Sequence, residues 1–295
     1  MITGLLGIIA PVFLLVMAGF IWQRRRLPFD QPFITRLVID LCAPALVLAL
    51  LASSDLSLDR FAGFAVQVIA ALVMMGLVAA VLARRHADPM MHWVALVFPN
   101  TANMGMPLCL LAFGEQGLLY ATVYYTVTSL VHFTLGVSLI AEEANAWRTG
   151  LKTPLVWATL LGVALMTADI NMPDWLISSL KLLGQPTIPL MLFTLGVSLA
   201  RLPWRDLLSR VDVGLERLLV GGIAAAVIVW VFQPEGVVRG VLVLETLMPS
   251  AIFNYLLAAR FGRHLESVTA IVAWSTVLVF LMLPLLLYWV VPVAG

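Results

Sequence analysis

The stretch Phe98-Pro99-Asn100-Thr101-Ala102-Asn103-Met104-Gly105-Met106-Pro107-Leu108 stands in the middle of an apolar run. Two prolines, a glycine and two asparagines so close together do not make an unbroken helix, because each proline removes a backbone donor and clashes with the turn before it. Backbone groups freed in hydrocarbon are costly unless they meet protein or line a polar cavity. Residues 99–107 are therefore expected to unwind at half-depth and to face a cavity rather than lipid.

The surroundings of this stretch set its solvent. Of 295 residues, 62% are hydrophobic and 11% charged, with a mean hydropathy of +1.04. A soluble domain carries about 25% charged residues, so a disordered chain, a nucleic-acid binder and an ordinary soluble enzyme are excluded. The net charge of +1 recruits no acidic partner. Cys42 and Cys109 both lie in apolar runs and suggest neither a disulfide framework nor a metal site. His86 and His92 are six apart with no cysteine nearby, which does not point to a metal site either. No H-E-x-x-H, glycine-rich phosphate loop or G-x-S-x-G is present, so no catalytic residue, cofactor or metal is expected.

A membrane-crossing helix needs about 20 apolar residues. Ten such runs can be read, at 3–22, 33–51, 61–83, 91–112, 117–141, 153–169, 175–200, 213–232, 237–260 and 266–291. The expected class is an all-α membrane protein of ten spans. The first run is read as a span, since no basic residue precedes it and no small-residue cleavage site comes before Arg24-Arg25-Arg26. Arg24, Arg25, Arg26, Arg36, Arg84, Arg85, Arg148, Lys152, Arg201, Arg205, Arg210, Arg217, Arg260 and Arg263 fall at odd-numbered joins; Arg60 and Arg239 alone fall at even ones. The positive-inside bias then puts both termini on the periplasmic or exterior side of a bacterial inner (plasma) membrane. Trp22, Trp147, Trp175 and Trp289 near span ends read as interfacial anchors.

Self-similarity divides the chain into residues 1–145 and 146–295. Phe113 begins FGEQGLLYATV and Phe261 begins FGRHLESVTAIV; Pro11-Val12-Phe13 parallels Pro154-Leu155-Val156, and Pro44 parallels Pro186 and Pro189. Five spans repeated twice force the second copy to enter the membrane from the opposite side. Such 5+5 inverted repeats with paired interrupted helices place a transporter's site where the copies meet. The partner of span four is span nine, with Glu245, Pro249-Ser250 and Asn254-Tyr255. One proline instead of two predicts a weaker break there. Half-helix N-termini offer free N–H groups to an anion, and Asn100, Asn103 and Asn254 add neutral donors.

The pattern at 98–108, followed by the Phe113-Gly114-x-x-Gly117 join, resembles the fourth span of the auxin efflux carrier family, which includes plant PIN exporters and bacterial relatives assigned to malonate or other organic anions. The resemblance covers essentially the whole chain. It implies a fold shared with bile-acid/sodium symporters, two broken crossover helices at spans four and nine, an elevator-like motion and a homodimer. It also implies a substrate site at Pro99 or Pro107 with Asn100 or Asn103, and at Pro249 with Asn254. Ser250 stands where an asparagine beside Pro249 would be expected, and the long central loop of many plant members is absent.

Gly105 and Ser250 complete the set of substrate-binding residues expected at the two breaks. In span five, Tyr125, Thr128, Ser129 and His132 share one helical face; Tyr125 and Ser129 are expected to touch substrate, and Thr128 to serve as interhelical glue. Ser275 and Thr276 occupy the related place in span ten. Asp40 and Glu245 are the intramembrane acids, and either could exchange a proton and so couple transport to a gradient. For Asp40 an ion pair with Arg36 is the other reading, and Lys181 could snorkel outward. The function expected is secondary active transport of a small organic anion such as a dicarboxylate or an auxin-like acid, coupled to H+. A Na+-coupled symporter of the same fold is the first rival, and a membrane sensor or enzyme that moves nothing the second.

Overall fold

In the computed structural model, residues 2–53, 57–140, 154–168, 170, 172–201 and 210–291 are described. Arg148, Lys152, Arg205, Trp147 and the division at 145/146 lie outside them. The described residues are almost wholly helical: α1 (Ile2–Arg24), α2 (Gln31–Ala52), α3 (Leu58–Ala83), α4 (Pro89–Val97), α5 (Met106–Val131), α6 (Pro154–Thr167), α7 (Asp174–Gly184), α8 (Thr187–Ala200), α9 (Val211–Phe232), α10 (Gly236–Leu247), α11 (Ile252–Phe261) and α12 (Leu265–Val290). Wider π-type turns occupy Val38–Cys42 within α2, Thr101–Gly105 ahead of α5, and His132–Gly136 after it. Among the described residues, six stretches are long and apolar enough to cross a membrane: Gln31–Ala52, Leu58–Ala83, Thr101–Ile140, Asp174–Ala200, Val211–Phe232 and Leu265–Val290.

Local chemistry sets the boundaries. Asp30 and Asp88 each accept the backbone N–H three residues on, and a proline stands in the first turn of the helix each caps, where its missing donor costs nothing. Pro107 occupies the same permitted place in α5. The 40-residue stretch Thr101–Ile140 bends at Gly114, whose φ of 66° and ψ of −155° belong to glycine. Gln185 and Pro186 separate α7 from α8.

Packing follows small residues. A Cβ on Gly19 would strike the Phe193 carbonyl, and one on Gly196 the Val16 carbonyl. Only glycine lets α1 and α8 approach so closely. The second half of α2 lies along α6 and α7, α3 along α9, and α9 along α12. On α3, Val66, Ile69, Val73, Leu77 and Val81 form an exposed apolar stripe, while Phe64, Val68, Ala71, Leu72, Met75 and Ala79 are buried on the other side. A helix apolar all round, with one face uncovered, is solvated by lipid.

One ion pair ties the start of α4 to the join after α11: Arg263 donates through Nε to Asp88 Oδ2 at 2.6 Å and through Nη2 to Oδ1 at 2.8 Å. The guanidinium holds the Asp88 carboxyl below the usual carboxylate range, aided by the Met91 N–H. A depressed value means that the stabilisation is present above the ordinary pKa of about 4 and is lost as pH falls through the lowered value. Asp88→Asn keeps the cap and loses the charge. Its thermal midpoint should lie below that of the unsubstituted protein at pH 7, and the gap should close as pH falls below about 4. A gap independent of pH would contradict the pairing.

Candidate functional site

The helices α4 and α10 both stop in the interior, at Val97 and Leu247. The chain then runs extended through Phe98–Asn100 and again through Met248–Ala251, and the two pieces pair antiparallel at Pro99 and Ser250. Asn100 N donates to Pro249 O at 2.7 Å, and Ala251 N to Phe98 O at 3.0 Å. The remaining freed groups are met by side chains. Pro99 has no N–H for the Ala95 carbonyl, and Ser250 Oγ donates to that carbonyl at 2.7 Å. Ser250 N donates to Ser275 Oγ at 3.0 Å, and Asn254 Nδ2 to Phe98 O at 3.2 Å and Ser250 Oγ at 3.0 Å. Thr246 O, past the reach of any further helical N–H, accepts Arg217 Nη2 at 3.0 Å.

One expectation is corrected here. The interruption in the first stretch is confined to 98–100, because Pro107 fits the first turn of α5 and the π-type turn bridges 101–105. The second interruption, with its single proline, covers Met248–Ala251 between α10 and α11.

A cavity of about 130 Å³ opens beside the crossing. Pro99, Asn100, Asn103, Tyr125, Ser129 and His132 line it, with Thr128 on the same wall. The first turns after both breaks, at Thr101–Asn103 and at Ile252–Phe253, also border it. Their N–H groups have no intrahelical acceptor. Asn100 is 4% exposed, and its Nδ2 has no partner among the described residues. The His132 ring stacks on Phe98 with centroids 4.0 Å apart, and Phe253 meets it edge-on. No arginine or lysine lines this cavity among the described residues. A second cavity of about 440 Å³ shares Gln31, Thr35, Ser198, Ile252 and Leu256 with it and extends to Arg36 and Arg201.

Other expected site residues lie off the cavity wall. Gly105, Pro107, Pro249, Ser250 and Asn254 sit behind the crossing, and Ser275 and Thr276 are buried away from the cavity. Asp40 is exposed on the π-type turn of α2 and does not line the cavity. Lys181 is exposed on α7. Glu245 is fully buried: Oε1 accepts Cys109 Sγ at 3.6 Å, and Oε2 has no partner among the described residues.

Arg217, which does not line the cavity, supports the second break, a role not expected from the sequence. It was counted with the charges of a join, yet it is fully buried in α9. Its place inside the apolar run 213–232 was the available signal, because a charge within a span is a functional hypothesis from the outset. Tyr124, whose hydroxyl bonds Thr246 Oγ1 at 3.0 Å, offered no signal beyond an apolar helix.

Comparison with known proteins identifies the family. The chain belongs to the family described as "Membrane transport protein", which it matches over residues 5–146 and 143–287, the auxin efflux carrier or PIN-like group. It is similar to an "Uncharacterized transporter" of Methanothermobacter thermautotrophicus, 29% identical over 87% of this chain and 88% of that one. It is also similar to a "Putative malonate transporter" of Rhizobium meliloti, 23% identical over 92% of this chain and 91% of that one. The protein is thus a multi-pass membrane transporter rather than an enzyme.

A Cβ on Gly105 would land on the Glu245 carboxylate. Gly105→Ala should therefore cost about 1–3 kcal/mol and lower the thermal midpoint in detergent. Gly222→Ala, which has nothing within 4 Å, should leave the midpoint unchanged. Equal midpoints for the two variants would contradict this placement.

Proposed function

We propose that the chain is a secondary active transporter of a small organic anion, a dicarboxylate of malonate's size being the first choice, and that the cavity beside the crossing is its binding site. The observation that carries this reading is the convergence of two helix N-termini on one cavity, with a buried and unpartnered Asn100 amide beside them. Free N–H groups and the positive ends of two helix dipoles suit a carboxylate. Recognition by neutral donors, without an arginine or lysine, holds the anion without trapping it. Pro99, Asn103, Tyr125 and Ser129 shape the pocket. Gly105, Pro107, Pro249, Ser250 and Asn254 act one step back, by holding the crossing in place.

The proposed architecture is ten spans in a 5+5 inverted repeat, with α4–α5 and α10–α11 as the broken crossover helices. The pairings support it: α1 lies on α8 and α2 on α6, which is the exchange required if spans one and two correspond to spans six and seven. On the charge pattern both termini lie outside. The cavity that reaches Arg36 and Arg201 then opens toward the cytoplasm, so this conformation faces inward. Pairing of the chain as a homodimer belongs to the same reading.

Coupling is assigned to Glu245. Its unpartnered Oε2 lies against Gly105, at the end of the π-type turn whose first residues border the cavity. A proton gained or lost there acts on the substrate's own donors. Asp40 is too exposed for this role.

In proteoliposomes, Asn100→Ala and Asn103→Ala should weaken malonate uptake about 10- to 100-fold, the value of one hydrogen bond to a charged group, with the protein still monodisperse. Uptake unchanged in both would remove the site. Glu245→Gln should still bind malonate and no longer accumulate it down an imposed pH gradient. Accumulation by the unsubstituted protein that follows a sodium gradient at fixed pH would refute proton coupling and favour the sodium symporter.

A further inference from the structure

The join between α3 and α4 brings a second cluster of chemistry together, which shares no lining residue with the cavity beside the crossing. His86 Nε2 lies 3.2 and 3.1 Å from the two carboxylate oxygens of Glu216, and His92 Nε2 lies 2.8 Å from Oε2. Glu216 comes from α9, 124 positions away from His92. The three donor groups have ligand atoms within 4.8 Å of one another. The imidazole rings stack with centroids 3.5 Å apart and planes 13° from parallel.

We propose that His86, His92 and Glu216 form a binding site for a divalent first-row transition metal, with Zn2+ as the reference ion. A tetrahedral site with ligand bonds of 2.0–2.1 Å has edges of roughly 3.3 Å between donor atoms. The three His–Glu separations, 2.8 to 3.2 Å, are close to such edges. With both rings neutral, each can present an Nε2 lone pair to a shared ion, and the Glu216 carboxylate supplies the third donor and a negative charge. Two nitrogen donors favour Zn2+, Co2+, Ni2+ or Cu2+ over Mg2+ or Ca2+, which take oxygen ligands. Asp88 is nearby but does not compete, because both its oxygens are held by Arg263.

His86 sits in a turn with 17% of its side chain exposed, so its ring can tilt to direct its lone pair at the ion. Three protein ligands leave a fourth position for water, as in an exchangeable site. The pocket beside it is lined by His264 and Ser267 from the join and the first turn of α12. Occupancy would clamp the start of α9 to the join ahead of α4.

The test uses the full chain in detergent, without a polyhistidine tag and stripped by chelator, then titrated with ZnCl2. Bound metal should reach one Zn2+ per chain, the thermal midpoint should rise with Zn2+, and Co2+ should give the visible absorption of a tetrahedral centre. His86→Ala, at a partly exposed turn, and the near-isosteric Glu216→Gln should each weaken binding by more than about tenfold while remaining monodisperse. Zn2+ affinity equal to that of the unsubstituted protein in both variants overturns the site. So does a midpoint raised as much by Mg2+ as by Zn2+.

Discussion

Hydrocarbon offers no hydrogen bonds, so a chain that stops its helix inside a membrane must find a partner for every N–H and C=O it frees. Here the two interruptions supply one another. Phe98–Asn100 and Met248–Ala251 exchange backbone bonds at Pro99 and Ser250. The carbonyl that Pro99 abandons is taken by Ser250 Oγ, and that of Thr246 by a buried arginine. Neither break is affordable alone. Two first turns then border the cavity beside the crossing, and on the proposed reading that cavity is the substrate site.

Such mutual dependence explains why residues that never touch the cavity matter. Ser250, Asn254 and Ser275 form a bonded set behind the crossing. Arg217 places a positive charge at the carbonyl end of α10, where a helix dipole welcomes it. Gly105 exists to admit Glu245. On the proposed reading, a substrate held by neutral amides and a carboxylate one layer behind it are linked through a single π-type turn, which is easier to reshape than a regular helix.

Much of this was legible in the residues. The span-four stretch announced a break, because prolines and asparagines in an apolar run have few other uses, and the polar stripe from Tyr125 to His132 pointed at the cavity wall. The extent of each break was not legible. Pro107 looks like a breaker and is in fact a helix starter, and the single proline of span nine gives no hint of the serine and arginine partners that meet the backbone groups it frees. Asp40 could not be placed, because which face of α2 is packed depends on neighbours that are distant in sequence. Glu216 joins His86 and His92 only through the packing of α9 on the join before α4, a contact across 124 positions that no local pattern records.

The most direct measurement is an experimental structure of the protein with malonate bound. The carboxylate is expected in the cavity beside the crossing, within about 3 Å of Asn100 Nδ2 and of backbone N–H groups in the first turns after both breaks, with Pro99 and Ser250 still paired. Malonate lodged instead against the arginines at either membrane surface, or residues 98–101 wound into a continuous helix, would contradict it.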